Sequence, residues 1–181
     1  TLIFSGLEVL AYNINRRQKD LKTFEFGKVY FRKDGKYVEK KRLALFMTGS
    51  RHTESWLGGG QPVAFHDLAA VVQQIMHRMQ VKAYDGTETD LAHFAYGLSY
   101  RVNKREVAVL GLLKPAVTKA AEVKTPVFYA DLDWEYLLKQ YSPKVVFAEI
   151  PRFPEVRRDL SLVIDKSLTF REIKALAERA E

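Results

Sequence analysis

The sequence predicts an α+β fold in which helices flank an antiparallel β-sheet. Apolar residues recur at helical spacing in three separate segments, and the strand-like segments follow one another without the strand–helix alternation of βαβ units. The 181 residues, 47% of them hydrophobic and 28% charged, suffice for one substantial domain or a domain and part of a second. The absence of cysteine excludes disulfide scaffolds, thiolate metal sites and a cysteine nucleophile.

The first predicted element is a helix. Leu7, Leu10, Ala11 and Ile14 lie at spacings of three, one and three, which places them on one helical face. The sequence begins at this predicted helix, without an initiator methionine or a preceding turn. We therefore expect the chain to be a piece of a longer protein.

A β-hairpin is predicted next. Residues 23–31 are rich in aromatic and β-branched side chains, and we expect a β-bulge at Gly27. Asp34 and Gly35 form a turn signal, and the apolar residues 42–48 suit a buried returning strand.

The middle of the chain predicts a second helix, three strands and a third helix. Apolar residues between 68 and 79 repeat at three, one, three, one and three, the clearest helical pattern in the chain. Asp131 is available as the N-cap of the third helix, and acids follow in its first turn. The three strands are predicted at residues 94–102, 106–113 and 126–132, and the third helix at residues 133–141.

The C-terminal part predicts a linker and the start of another domain. Three prolines lie within residues 143–154, which we interpret as a linker after a core domain of residues 1–142. Residues 160–165 suit a strand, and Thr169 with Glu172 forms a capping box that opens a helix. One strand and one helix cannot bury a core, so residues 155–181 are expected to begin a truncated domain.

Positive charge is concentrated near the N-terminus. The net charge is +7, and residues 1–42 hold 11 Lys and Arg against 5 Asp and Glu. Such a segment can form a surface that faces phosphates, or it can be a solvated, turn-rich region whose lysines serve solubility. The sequence leaves both interpretations open.

Known catalytic motifs are missing from the sequence. The glycines at 58–60 are not followed by the Lys-Ser or Lys-Thr of a phosphate-binding loop, and the four histidines lack zinc-ligand spacing. A serine hydrolase motif fails because Arg101 stands where its second glycine belongs. The apolar runs are too short to span a bilayer, so we expect a cytoplasmic protein without a membrane partner.

Five segments of the chain, taken in order, carry a family resemblance: residues 7–16, 24–31, 45–49 with Trp56, 110–117 and 153–165. Together they resemble the β chain of bacterial phenylalanyl-tRNA synthetase over essentially the whole chain. The resemblance implies a core like that of class II aminoacyl-tRNA synthetases, followed by the first strand and helix of a ferredoxin-like anticodon-binding domain.

The sequence departs from catalytic class II synthetases at two places. Their first hairpin pairs a phosphate-binding arginine with a polar return strand, whereas residues 43–48 are almost entirely apolar and leave Arg32 without that partner. Their glycine-rich strand enters a helix with an arginine, whereas residues 127–136 contain neither glycine nor arginine. The resemblance therefore implies a non-catalytic core without catalytic residues of its own.

The resemblance also implies partners and cofactors. It implies an α chain in an α₂β₂ assembly and tRNA(Phe), with ATP and Mg²⁺ used by the parent enzyme and neither bound by this chain. A freestanding ATP-using ligase and an independent RNA-binding module are the alternatives. The residues that we expect to contact RNA or a partner are Arg16, Arg17, Arg32, Arg157 and Arg158.

Overall fold

The computed structural model describes residues 1–52, 56, 60–81, 83–142, 147, 156 and 159–180. The chain divides into two compact units, residues 1–143 and 144–181. The linker expected at 143–154 lies outside the described residues except at residue 147.

A six-stranded antiparallel sheet forms the frame of the first unit and confirms the predicted α+β class. The strands lie in the order β1-β2-β6-β5-β4-β3, so that β1 and β3 form the two edges. Their bounds are β1 Leu21–Lys33, β2 Lys36–Thr48, β3 Asp85–Glu88, β4 Phe94–Val102, β5 Arg105–Leu113 and β6 Phe128–Asp133.

Helices cover both faces of the central strands. On one face α2 buries its apolar side against β2, β5 and β6, and on the other face α1 does so. Successive residues of β2 therefore enter different cores: Leu45 contributes to the α2 core and Phe46 to the α1 core. The helices are α1 Ile3–Ile14, α2 Phe65–Arg78, α3 Pro115–Lys119 and α4 Trp134–Gln140.

The predicted stripe of α1 is confirmed, but the bulge expected in β1 is wrong. Leu7 and Leu10 are fully buried, whereas β1 and β2 pair without a register shift through Gly27 and Arg42. Gly27 is required for another reason: a Cβ there would meet the side chain of Leu2 at 2.5 Å. The glycine therefore allows the N-terminal end of the helix to lie against the strand.

The expected N-cap of the third predicted helix is also wrong. Asp133, not Asp131, caps α4 by accepting a hydrogen bond from the backbone N–H of Tyr136 at 3.0 Å. Asp131 is still within β6, where it lies opposite Ala44 and Val109. The strand simply runs one residue further than its apolar pattern indicated.

Two short elements were not predicted. The first is β3, a polar edge strand that begins at Asp85 and pairs with β4. The five-residue helix α3 begins at Pro115, where proline is favoured because a first-turn N–H has no helical partner.

In the second unit the predicted helix is present and the predicted strand is not. Helix α5 Phe170–Ala180 begins after Thr169, whose backbone N–H donates to the Glu172 carboxylate at 2.7 Å. Residues 160–165 pair with no strand among the described residues. Their β-like composition is not sufficient, because a strand forms only where a neighbouring strand supplies hydrogen bonds.

Candidate functional site

The hairpin of β1 and β2 extends beyond the rest of the sheet. Strand β2 pairs with β6 only from Arg42 onward, so the preceding part of the hairpin has no third strand beside it. We call residues 28–41 the ribbon. Each of its strands pairs only with the other.

Basic side chains dominate the ribbon. Its sequence holds six Lys and Arg against two Asp and Glu, so it carries +4 of the chain's net +7. One of the two acids, Glu39, is paired with Lys28 at 2.8 Å. The cationic residues are Lys28, Arg32, Lys33, Lys36, Lys40 and Lys41.

Aromatic side chains stand among these charges on one face of the hairpin. The strand register places Phe24, Phe26 and Tyr30 of β1 on one face with Tyr37 of β2. Tyr30 is 67% exposed and Tyr37 84% exposed, and Phe24 is 68% exposed. Phe26 extends this face to α4, because its ring lies 4.8 Å from the ring of Trp134. We call this surface the aromatic face.

The outward side of α1 is a second exposed apolar surface. Phe4, Val9 and Tyr12 are each about half exposed, while the opposite side of the helix is buried in the core. Glu8 is the only charged residue within the 12 residues of α1. We call this surface the outer face of α1. Like the aromatic face it exposes aromatic rings, but it is almost without charge.

The three described residues that were expected to contact RNA or a partner lie in two separate places. The Ser5 hydroxyl donates to Glu25, and Leu2 lies against Gly27, so α1 runs back along the first part of β1. Arg16 and Arg17 follow the C-terminal end of α1, whereas Arg32 is near the tip of the ribbon. At about 3.3 Å per residue along β1, the two sets are on the order of 30 Å apart.

The local contacts of these residues also differ. Arg16 donates to the Tyr12 carbonyl at 3.1 Å, and its guanidinium lies 3.4 Å from the centre of the Tyr12 ring. Arg17 has a left-handed backbone (φ 67°). Arg32 donates to the Gly35 carbonyl at 3.4 Å. Arg157 and Arg158 lie outside the described residues.

Two ion pairs involve acids of residues 127–136, the stretch in which the sequence has neither glycine nor arginine. The Arg42 side chain donates to the Asp131 carboxylate at 2.6 Å, and Arg105 donates to Asp133 at 2.7 Å. Burial alone would raise the pKa of Asp133, but the bonds from Arg105 and from the Tyr136 backbone outweigh it and lower that pKa. Asp133 therefore stays ionised while only 3% exposed.

The sequence did not predict these pairs, because their members are distant in the chain. Arg42 and Asp131 are separated by 89 residues and meet only because β2 and β6 are neighbours. The sequence did show two acidic residues, Asp131 and Asp133, at the end of an otherwise apolar strand. That signal alone did not identify their partners.

The carboxylates of Asp131 and Asp133 are each paired with an arginine of the same chain. Asp131 lies opposite Ala44 and Val109, which belong to the α1 core, so its side chain is on the α1 face of the sheet. The two arginines already bind carboxylates, so neither guanidinium is free to bind a phosphate. On the other face α2 covers the sheet with buried side chains that include Leu68, Val72 and Met76.

The part of the chain that the structure describes has neither a metal-binding cluster nor a membrane-spanning helix. Within those residues, no group of three or more His, Asp or Glu could hold a metal ion. No helix within them is long and apolar enough to cross a membrane.

Comparison with known sequences gives a consistent family. The family model described as "Phenylalanyl tRNA synthetase beta chain CLM domain" matches residues 1–134. The phenylalanine–tRNA ligase beta subunit of Bacteroides fragilis is 36% identical over 100% of this chain and 24% of its own length. The corresponding subunit of Thermotoga maritima is 29% identical over 96% of this chain and 22% of its own length. The chain therefore spans about a quarter of these relatives.

Comparison with solved structures supports the fold alone. A pyrrolysyl-tRNA synthetase of Desulfitobacterium hafniense superposes with a TM-score of 0.55 at 16% identity. The match covers 74% of this chain and 46% of that protein. The antiparallel sheet with its flanking helices is thus a synthetase fold, as the sequence resemblance implied.

Proposed function

Because the chain belongs to the family of phenylalanyl-tRNA synthetase β chains, we propose that it is a non-catalytic core of such a chain. In this role it supports the packing of the α chain and the binding of tRNA(Phe) during ATP-dependent attachment of phenylalanine. The observation that carries the non-catalytic part is the pairing of Asp131 with Arg42 and of Asp133 with Arg105. These pairs stand where a catalytic core needs groups free to bind a nucleotide.

The outer face of α1 is the surface that we assign to the α chain. Phe4, Val9 and Tyr12 give it exposed hydrocarbon, and Glu8 alone adds a charge. Protein interfaces are enriched in aromatic residues and depleted in charged residues at their centres. The surface therefore suits a protein partner in an α₂β₂ assembly. Arg16 and Arg17, at the end of α1, are proposed to border that interface.

The remaining expectations belong to the parent enzyme. The α chain supplies the site for ATP and Mg²⁺, and the complete assembly acts in the cytoplasm. Residues 155–181 begin the ferredoxin-like anticodon-binding domain, and Arg157 and Arg158 there are proposed RNA contacts, as is Arg32 in the ribbon. The support for these proposals is the family of the chain.

Co-purification tests the proposed function. The full-length β chain that contains this sequence is co-expressed with the α chain, and phenylalanylation of tRNA(Phe) is measured with and without it. We expect a stable complex whose activity needs both chains, and no phenylalanyl-adenylate from the 181-residue chain alone. Adenylate formation by this chain alone would instead support a freestanding ligase and would refute the non-catalytic assignment.

A further inference from the structure

The aromatic face needs an explanation that the α-chain interface does not supply. It belongs to the hairpin of β1 and β2, and its outermost residues, Tyr30 and Tyr37, lie beyond the point where the sheet ends. Contiguous exposed aromatic side chains are uncommon on a protein that has no ligand for them.

The spacing of the rings suits stacked bases. Phe24, Phe26 and Tyr30 are on one face of one strand, and alternate residues of a strand are about 6.6 Å apart. Lys28 occupies the position between Phe26 and Tyr30 on that face, directly opposite Lys41 of β2. Sheets that bind unpaired RNA use the same combination of exposed aromatic rings for bases and cations for the backbone.

The charge on the ribbon distinguishes an RNA ligand from a protein ligand. Lysine is depleted from the centres of protein interfaces, yet the register places Lys28, Lys41 and Arg32 on the aromatic face together with one acid, Glu39. The Lys28–Glu39 pair is exposed to solvent, and three cations against one acid leave this face positively charged and complementary to phosphate. The other cations of the ribbon lie on the opposite face of the hairpin: Lys33, Lys36 and Lys40.

The need to protect a free sheet edge could explain the lysines of the ribbon but not its exposed tyrosines. Charged residues, lysine above all, keep exposed edge strands from pairing with other chains. Tyr30 and Tyr37 do not serve that purpose, because exposed aromatic rings on an extended strand favour association. The lysines and the tyrosines together require a ligand that carries both phosphates and flat rings.

We infer that the aromatic face binds unpaired nucleotides of an RNA, with bases stacked on Tyr30 and Tyr37 and phosphates bound by the three cations of that face, Lys28, Arg32 and Lys41. This inference rests on the proposed function only in that the parent assembly handles RNA. It adds a binding surface, a binding mode and a preference for unpaired over paired nucleotides. Phe24 and Phe26 extend the platform toward Trp134 of α4.

Fluorescence anisotropy with two labelled probes tests the stacking. The probes are a 12-nucleotide oligouridylate and an abasic 12-mer with the same number of phosphates, each titrated with the 181-residue chain. We expect the oligouridylate to bind more tightly, and the double variant Tyr30→Ala/Tyr37→Ala to weaken its binding by about tenfold. Binding of the abasic probe should not change, because its phosphates meet the same cations.

Matched variants separate stacking from other effects. Tyr30→Phe/Tyr37→Phe keeps both rings and should retain the affinity, and Tyr96→Ala removes an exposed tyrosine at the other end of the sheet. Thermal unfolding of each variant shows whether the fold is kept. The double alanine variant is expected to unfold within a few degrees of the wild type, since both side chains are exposed.

Three results would overturn the inference. Equal affinity of the wild type for both probes would exclude stacking, and unchanged oligouridylate binding by the folded double alanine variant would exclude these rings. Loss of α-chain binding by that variant, with RNA affinity intact, would make the aromatic face a protein interface. None of these results would affect a phenylalanylation activity that requires both chains, so the proposed function is tested separately.

Discussion

The outer face of α1 and the aromatic face of the ribbon are both exposed and rich in aromatic side chains, but their charges differ. Helix α1 has one charged residue among 12, whereas the ribbon has eight among 14. Exposed hydrocarbon favours binding of a partner, and the charge around it indicates which kind of partner. The charge-poor surface suits a folded protein, and the cationic surface suits RNA.

The largest expected effect comes from displacing α1. A Cβ on Gly6 would lie 2.0 Å from the Phe46 ring, which is itself buried and packed 5.0 Å from the Tyr129 ring. Gly6→Val should therefore destabilise the fold by about 3 kcal/mol, measured by urea unfolding. Glu8→Val, on the exposed side of the same helix, should change stability by less than about 0.5 kcal/mol. Equal stability of the two variants would contradict the close packing of α1.

The second largest expected effect is a difference in salt dependence between ligand binding at the aromatic face and at the outer face of α1. If Lys28, Arg32 and Lys41 contact phosphates, raising salt from about 50 to 300 mM should weaken oligouridylate binding by about 40-fold. Binding of the α chain to the outer face of α1 should change by less than about threefold, because its contacts are apolar. Titrations of both ligands at several salt concentrations give the two slopes. Similar slopes would remove the distinction drawn from charge.

Truncation of the outer face of α1 should give a somewhat smaller effect. Phe4→Ala/Tyr12→Ala removes the two exposed rings, and we expect α-chain binding to weaken by about 2 kcal/mol, close to 30-fold. Isothermal titration calorimetry measures this loss. Tyr141→Ala, an exposed tyrosine outside α1, is the control and should bind as the wild type does. Full affinity in the double variant would place the α chain elsewhere.

The smallest effect is a pH dependence confined to the α1 side of the sheet. His93 lies 4.3 Å from the Phe94 ring in the core beneath α1, and burial lowers its pKa despite the opposing charge of Asp131. A lowered histidine pKa means that the unfolded chain binds more protons, so stability falls as pH decreases below about 6.5. The unfolding midpoint should fall modestly between pH 7 and 5.5.

A substitution identifies the group responsible for that dependence. His93→Gln should flatten the change over this pH range, whereas His66→Gln, at an exposed position, should retain it. The ribbon contains no histidine, so its RNA affinity should not follow the same titration. A slope that survives His93→Gln would assign the pH dependence to another group.

The sequence predicted the helices and strands that bury one face or both faces in the core. In α1 and in the apolar part of β2, the spacing of apolar residues in the sequence matches the residues that are buried in the structure. Strand β3 was missed because its residues, Asp85–Glu88, are polar and pair only at an edge. The ion pair of Arg42 and Asp131 could not be predicted, since it depends on which strands become neighbours.

The candidate site was predictable in composition but not in arrangement. The excess of basic residues before residue 43 is visible in the sequence, whereas its separation into the end of α1 and the ribbon follows from the direction of α1 along β1. Tyr37 was not recognised, because a turn-flanking tyrosine has no distinctive spacing. Only the strand register places it on the same face as Tyr30.

A crossed binding experiment tests the division between the two surfaces most directly. The affinity for the α chain and the affinity for oligouridylate are measured on Phe4→Ala/Tyr12→Ala and on Tyr30→Ala/Tyr37→Ala. We expect the first variant to lose α-chain affinity alone and the second to lose oligouridylate affinity alone. Loss of both affinities in either folded variant, or the opposite assignment, would contradict two surfaces with separate ligands.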